Sequence, residues 1–325
     1  MDITSLNSLM ANLNVTSGLK VGSYNLNGLG EKNKRKKVLT WLKNKPEDVI
    51  FVQETHSTCT TEKDWRNVWG GEIIFNHGTS NSTGVAILIK RNSGIKILKN
   101  KPIVKGRATL LEIECDTINF CLVNLYAPNN DDIDFFKTVF LETLGRQRDD
   151  FLIIAGDWNT VLNNNLDKMG GASAHASSKT QNLVNTMTSD YGLSDIFRLT
   201  RGNETVFTHF NKRCGTASRL DFFLIDDRLV NFPICTSNIS HGFNSDHSYV
   251  SLNIQGSSIA TGKGYWKFNN SHLLDDDFVK ATNNIVNESI NSSFDSYRGL
   301  WDTIKFKIKS HAIRHGKVRN KLAKI

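Results

Sequence analysis

Five polar clusters punctuate this chain, each at the end of an apolar run, and their residue types are those of phosphate chemistry. They are Ser23-Tyr24-Asn25, Gln53-Glu54-Thr55, Gly156-Asp157-Trp158-Asn159, Ser218-Arg219-Leu220-Asp221 and Asn244-Ser245-Asp246-His247. A carboxylate at the lip of a buried strand is partly desolvated, so Glu54 and Asp157 each need a cation or hydrogen-bond donors. With Asn25 and Asn159 nearby, the donors are hard oxygens that suit Mg²⁺ or Mn²⁺. Either acid alone also fits a strand-end cap or a salt-bridged carboxylate. Asp221 opens a strand and His247 precedes one; a His held by a carboxylate can donate to a phosphoryl oxygen or move a proton. Asn25 and Asn159 cannot titrate, so their use would be to orient water, metal or phosphate. Tyr126 in Tyr126-Ala127-Pro128 either donates its phenol proton to a phosphate or is a ring packed at a turn.

Taken together these residues make a set for metal-assisted hydrolysis of a phosphate ester. The patterns of other chemistries are missing. There is no serine nucleophile elbow, no His-Glu-x-x-His, no Gly-x-Gly-x-x-Gly and no P-loop. Of the other histidines, His56 lies close to Glu54, and His209 in its strand is packed or binding-related. His175, His241, His272, His311 and His315 sit in polar context and read as surface residues. The five cysteines, Cys59, Cys115, Cys121, Cys214 and Cys235, form no CxxC and no cluster with a His, which reads as a reduced intracellular protein rather than a zinc module.

These residues need strands to position them. The apolar patterning predicts strands over 20–25, 49–53, 84–90, 110–115, 118–125, 151–155, 205–209, 220–225 and 249–254, about ten in all. Asp116-Thr117 reads as a hairpin turn. Helices are predicted over 31–45, 132–148 and 180–191, and residues 163–178 read as a loop. Irregular alternation of strands and helices argues for a mixed-sheet α+β or α/β layered domain, not a Rossmann fold or a (β/α)₈ barrel. Residues 1–18 read as a flexible lead, 19–255 as one domain, 256–264 as a linker, and 265–325 as a basic helical extension with helices over 273–290 and 300–322.

Net charge is +8, with 39% hydrophobic and 22% charged residues. Trp301 to Ile325 holds eight Lys or Arg and one acid, leaving the other 300 residues near +1. That tail suits a polyanion partner, with nucleic acid foremost, or a solvated amphipathic helix. No apolar run approaches the roughly 20 residues of a membrane span, and the N-terminus lacks the pattern of a signal peptide.

From Leu19 to Asn253 the chain resembles the endonuclease/exonuclease/phosphatase superfamily. The resemblance rests on Ser23-Tyr24-Asn25-Leu26-Asn27-Gly28-Leu29, Gln53-Glu54-Thr55, Asn124-Leu125-Tyr126-Ala127-Pro128, Gly156-Asp157-Trp158-Asn159, Ser218-Arg219-Leu220-Asp221 and Ser245-Asp246-His247, in family order. It looks most like the endonuclease of LINE-type non-LTR retrotransposons. Gln53-Glu54-Thr55-His56, Phe207-Thr208 before Ser218, and Tyr265-Trp266-Lys267-Phe268-Asn269-Asn270-Ser271 carry that likeness, the last resembling the segment that leads to a reverse transcriptase.

The resemblance implies a four-layer α/β sandwich, two mixed sheets between helices. It also implies roles. Glu54 would be the principal ligand of Mg²⁺ (or Mn²⁺), with Asn25, and Asp246 would support the metal or His247. Asp157 would orient or deprotonate the attacking water, Asn159 would hold the phosphate, and Tyr126 would bond the phosphate or leaving oxygen. His247, oriented by Asp221, would contact the scissile phosphate. Asn27, Thr208, Ser218, Arg219 and Ser245 would be supporting or substrate contacts. Asn27 stands where some members have Asp.

The activity implied is nicking of one strand of double-stranded DNA at a T- and A-rich target, leaving a 3′ hydroxyl and a 5′ phosphate. Action in the nucleus, beside the RNA or reverse transcriptase of a retroelement, goes with it. An abasic-site endonuclease, another phosphodiesterase of the superfamily, or a non-catalytic nucleic-acid-binding protein are the alternatives. The chain stops at Ile325 where a polyprotein would continue, so a fragment and a separate gene both fit. Phosphate contacts are expected from Lys32–Lys37, from the tail, and from a loop over 196–218 carrying Arg198, Arg201, Lys212 and Arg213. Deleting residues 301–325 should weaken DNA binding and flatten its salt dependence. An unchanged slope of log K against log salt would remove the tail from the phosphate contacts.

Overall fold

Short strands with alternating inward and outward side chains build two six-stranded sheets. The structure is a computed structural model describing residues 18–144, 150–170, 178–211, 213–255, 268, 270–292 and 297–322. The lead up to residue 17, the linker 256–264, residues 265–267, Asn269 and Lys212 lie outside these; Gly18, expected in the lead, opens the first strand. In chain order the strands are β1 (Gly18–Asn25), β2 (Val49–Gln53), β3 (Glu72–Asn76), β4 (Val85–Ile89), β5 (Lys96–Val104), β6 (Ala108–Cys115), β7 (Ile118–Tyr126) and β8 (Phe151–Asp157). After them come β9 (Lys168–Met169), β10 (Leu193–Asp195), β11 (His209–Asn211), β12 (Thr216–Ser218), β13 (Asp221–Asp226), β14 (Ile234–Ser240) and β15 (Tyr249–Gln255). One sheet has the order β14-β15-β1-β2-β4-β3, the other β10-β13-β8-β7-β6-β5, and β11-β12-β9 form a small third sheet. Pairs β1–β2 and β7–β8 are parallel while β1–β15 and β8–β13 are antiparallel, so both large sheets are mixed.

The two large sheets pack face to face. Leu19, Val21, Val49, Phe51 and Ile87 of the first meet Leu111, Leu122, Ile153, Phe223 and Ile225 of the second in one buried cluster. On the outer face of the first sheet lie α1 (Lys32–Lys43) and α2 (Glu62–Trp69), which contribute Val38, Leu39, Leu42, Trp65 and Trp69 to a second cluster with Tyr24, Ile50, Val52 and Leu88. On the far side, α3 (Ile133–Leu144) sets Phe136 parallel to Trp158, itself stacked on Phe222 at 4.8 Å. The four-layer α/β sandwich expected from the sequence is the architecture found. Edge strand β5 carries Lys96, Lys99 and Lys101 with Pro102 and two register shifts.

Several local readings change. Fifteen strands are present among the described residues, not about ten. The strand expected over 205–209 begins only at His209. The loop expected over 163–178 contains α4 (Asn164–Asp167) and β9. Of the basic run at the start of α1, Arg35 is buried against the Leu29 carbonyl and pairs with Asp64, and Lys34 bonds the Asn27 carbonyl at 2.6 Å. Only Lys32, Lys36 and Lys37 of that run face outward.

The stretch expected to offer loop arginines is partly helical. It begins with α6 (Ile196–Arg201), which follows α5 (Lys179–Asp190). Arg198 there is ion-paired with Asp167. Arg219, expected to touch substrate, is fully buried: Nε lies 2.7 Å from Asp167 Oδ1 and Nη2 lies 2.6 Å from Asp195 Oδ2. Its backbone N–H also donates to the Asp167 carbonyl at 2.9 Å. Arg219 thus ties the turn before β13 to α4 and cannot reach a ligand from this position.

Residues 186–193 and the described residues from 268 to 322 form a separate compact unit. Within it, α7 (Asp276–Ile290) and α8 (Tyr297–Leu322) pack together, with Phe278 buried and stacked on His311 at 4.6 Å. His272, expected at the surface, is buried, because its ring fills the space beside Phe278 and Gly316. Residues 301–322 are therefore part of a packed helix pair, and deleting them also strips Phe278 of its cover. Changing Lys305, Lys307 and Lys309 to Gln removes three charges while leaving the helix in place, and is the cleaner form of the salt-dependence test. Among the described residues no helix is long and apolar enough to cross a membrane.

Replacing Arg219 by Met leaves two buried carboxylates short of a partner and should cost about 3–5 kcal/mol in urea unfolding. Burial would raise the Asp167 pKa, but the bonds from Arg219 and Arg198 outweigh it and hold the carboxyl below its ordinary value. Its contribution to stability is then complete above the unfolded-state pKa and is lost as pH falls through the lower folded value. Acid unfolding of the Met variant should lose that component.

Candidate active site

In a strand every second residue faces the same way, and the inward rows of both sheets change from apolar to polar at the same end. In β1 the row runs Leu19, Val21, Ser23, Asn25, and in β2 Val49, Phe51, Gln53. In β7 it runs Phe120, Leu122, Asn124, Tyr126, in β8 Ile153, Ala155, Asp157, and in β13 it starts at Asp221 before Phe223 and Ile225. Pairing aligns these ends. Asn25 stands opposite Gln53, and Asp157 stands opposite both Tyr126 and Asp221.

The first polar layer is sealed. Ser23, Gln53 and Asn124 are fully buried. Gln53 Nε2 donates to Asn124 Oδ1 at 2.7 Å and to Ser23 Oγ at 3.2 Å. Asn124 Nδ2 donates to the carbonyls of Val52 and Ala86 at 3.1 and 2.9 Å, so one amide spans from the second sheet to two strands of the first. Gln53 and Asn124 have no expected role in the chemistry. Their signal is a polar residue in the inward row just before the catalytic candidate.

Above that layer the candidates converge. His247 Nδ1 lies 2.8 Å from Asp221 Oδ2, and Nε2 lies 3.8 Å from Asp157 Oδ2. Asp157 Oδ2 accepts from Asn25 Nδ2 at 2.8 Å and Oδ1 accepts from the Asn159 N–H at 3.0 Å. Asn25 Nδ2 also donates to Glu54 Oε1 at 2.9 Å, while Asn25 Oδ1 accepts from the Asn27 N–H at 3.0 Å. The Asn25 amide thus points its nitrogen toward the carboxylates, and its oxygen keeps a second lone pair. In this arrangement Asn25 is a clamp between Glu54 and Asp157. Tyr126 lies beside Glu54, and Asn159 Nδ2 donates to the Ala127 carbonyl at 2.8 Å.

The remaining residues fall into two groups. Asp246 stands at the rim, bonded by Asn27 Nδ2 at 2.9 Å and 3.6 Å from His209 Nε2. Ser245 Oγ donates to the Asn25 carbonyl and accepts the His247 N–H, which ties the His247 loop to β1. Thr208 is buried. Its Oγ1 accepts the N–H groups of Leu220 and Asp221, so it supports Asp221 rather than a ligand. Ser218 pairs with His209 across β11–β12, outside the carboxylate cluster.

Backbone conformation serves the same end. Asn27, Glu54, His56, Asn159 and Asn244, all around the site, have φ between 45° and 58°. Such left-handed residues cost free energy unless surroundings enforce them. Gly156 is required before Asp157, because a Cβ there would meet the Leu125 carbonyl oxygen at 1.9 Å.

The electrostatics are those of a shared charge system. Burial would lower the His247 pKa, but Asp221 and Asp157 override it and raise it to about 10, so the ring is an imidazolium at neutral pH. Burial first, and the Asp221 charge against the pull of His247, push Asp157 up to about 6. Burial and the carboxylates of Glu54 and Asp157 raise the Tyr126 phenol well above its ordinary value. Asp246 is lowered to about 2, chiefly by its bond with His209. Burial lowers the Lys34 pKa, with Asp246 and Glu54 pulling the other way.

An oxygen-rich donor set with few cations fits a hard divalent ion. Asp221 Oδ1 is buried without a hydrogen-bond partner, a further sign that negative charge here exceeds its compensation. Asp157, Asp221 and His247 alone could also crowd around an ion. His247 Nδ1 already faces Asp221 Oδ2 at 2.8 Å, so the same trio also forms a hydrogen-bonded row beside Glu54.

The profile of the Endonuclease/Exonuclease/phosphatase family matches residues 22–247, a span that runs from β1 to His247. The chain belongs to that family. A transposon TX1 protein of 149 kDa from Xenopus laevis is 28% identical over 302 residues, covering 90% of this chain. The chain spans only 22% of that relative's length. Among solved structures, an AP endonuclease from Leishmania major superposes with a TM-score of 0.60 at 16% identity, covering 74% of this chain and 88% of the other. An AP endonuclease from Archaeoglobus fulgidus gives 0.57 at 20% identity, covering 72% and 98%. A Neisseria 3′ phosphatase bound to a product DNA hairpin gives 0.58 at 17%, covering 73% and 99%. The fold is thus that of a family of nucleases and phosphodiesterases.

Asp221→Asn removes the leading charge that holds the proton on His247. The imidazole proton shifts of His247, followed by NMR against pH, should then titrate well below the wild-type value. An unmoved midpoint would mean that Asp221 does not set the charge of this ring.

Proposed function

We propose that this chain is a divalent-metal-dependent DNA endonuclease that hydrolyses one phosphodiester of duplex DNA, leaving a 3′ hydroxyl and a 5′ phosphate, within a non-LTR retroelement. The observation that carries this reading is the buried row Asp221–His247–Asp157, with Asn25 and Glu54 held against it from the other sheet. Glu54 would hold Mg²⁺ or Mn²⁺, with Asp246 in support, and the ion would supply neutralisation of the phosphate charge under attack.

The chain's own residues do the rest. Asp157, pushed up to about 6 chiefly by burial, accepts the proton of the attacking water. The Asn159 N–H and the Asn25 amide fix its two oxygens, so the base does not rotate as it works. His247 sets a fixed positive charge and an Nε2–H donor against the phosphoryl oxygens. Asn159 Nδ2 has one hydrogen on Ala127 and a second for the phosphate. Tyr126, kept as a neutral phenol, donates to the phosphate or to the departing oxygen.

The transposon relative supports the retroelement setting, in which the RNA or reverse transcriptase of the element is a partner and the nucleus the place of action. Two fold neighbours are AP endonucleases, and this favours one second reading, cleavage at abasic sites.

Nicking of supercoiled plasmid should require Mg²⁺ or Mn²⁺ and stop with EDTA. Asp157→Ala should slow it by about 10²–10⁴-fold while DNA binding persists. Undiminished nicking by this variant would remove Asp157 from the chemistry. Cutting confined to duplexes with an abasic site would favour the second reading.

A further inference from the structure

We infer that Cys59, Glu62 and His77 form a zinc-binding site at the edge of the first sheet, distinct from the phosphate-facing site. Cys59 and His77 are separated along the chain by α2 and β3. Folding brings them together: Cys59 begins a 3₁₀ turn (Cys59–Thr61), Glu62 is the first residue of α2, and His77 follows β3. One ligand atom from each lies within 4.8 Å of the other two. Zinc bonds of about 2.0–2.3 Å put tetrahedral donors roughly 3–4 Å apart, so small side-chain rotations close the site.

The surroundings are those of a prepared ligand set. His77 Nε2 lies 2.8 Å from Glu62 Oε1, and the other ring nitrogen, Nδ1, lies 2.9 Å from Ser57 Oγ. An ion entering between Cys59, His77 and Glu62 takes the Nε2 lone pair. The ring proton then sits on Nδ1 and is donated to Ser57, the outer partner that metal-binding histidines commonly have. Binding also releases the Cys59 thiol proton. The Phe75 ring lies nearly parallel to the imidazole at 5.0 Å and fixes its plane. Glu62 Oε2 faces Arg66 at 3.4 Å, which leaves Oε1 for the ion, and the bond to His77 holds the Glu62 pKa below its ordinary value. Cys59 is exposed, so the site has an entrance and room for water as a fourth ligand.

The donors select the ion. A thiolate with an imidazole and one carboxylate suits zinc and is a poor cage for Mg²⁺ or Mn²⁺. Ser57 Oγ lies 2.9 Å from Thr55 Oγ1, so the two sites share a loop but no side chain.

The test is cobalt(II) titration of the full chain, freed of metal by chelation, followed by displacement with zinc. The wild type should show a thiolate-to-cobalt charge-transfer absorption that saturates at one equivalent of thiolate-bound ion, and zinc should then abolish it. Cys59→Ser should lose that absorption, and Ser57→Ala should weaken zinc binding about 10–100-fold. Glu54→Ala should leave the thiolate absorption unchanged. No absorption in the wild type, its persistence in Cys59→Ser, or its loss in Glu54→Ala would each overturn the inference. Circular dichroism of the metal-free variants checks that the fold is intact.

Discussion

The side chain of Asn124 fixes the offset between the two sheets, and the site depends on that offset. Asp157, Asp221 and Tyr126 come from one sheet, and Asn25 and Glu54 from the other side. Apolar faces alone would allow small sliding, because hydrophobic contact has no preferred direction. A buried amide with partners on two strands of the opposite sheet does not tolerate it, since slippage would leave polar groups unpaired in a dry interior. The Gln53 bridge reinforces this, although Gln53 Oε1 itself is buried without a partner.

Above that layer, each polar residue restricts the next. The Asn25 amide is oriented by the Asn27 backbone and in turn orders Glu54 and Asp157. Ser245 ties the His247 loop to the Asn25 carbonyl, and Thr208 fixes the start of β13. Arg219 holds that region from below with two carboxylates that never meet the ligand. Charge is arranged to the same plan: one imidazolium among three carboxylates keeps Asp157 poised between its two protonation states.

Much of this was legible in sequence because polar residues closing apolar runs are rare and stand out. Asn25, Glu54, Tyr126, Asp157, Asp221 and His247 were all found in this way. Other features lacked that signal. Strand β5 is largely exposed, so its row of Lys and Asn gives no apolar alternation, and β9, β11 and β12 are too short to show a period. Arg219 sits inside a motif and looked like a ligand contact, because only the structure shows Asp167 and Asp195 on either side of it. The amide orientation of Asn25 depends on the Asn27 N–H, and backbone direction has no letter in the sequence. Cys59 follows β2 and His77 follows β3, and they meet because β4 pairs with both strands.

The left-handed backbone at Glu54 and His56 means that thermostability and activity are selected in opposite directions at this rim. A residue with a Cβ in that conformation costs about 1–2 kcal/mol relative to its relaxed form, and glycine would relieve it. Variants chosen for heat resistance alone would therefore drift toward glycine at Glu54 and lose the carboxylate on which the chemistry rests.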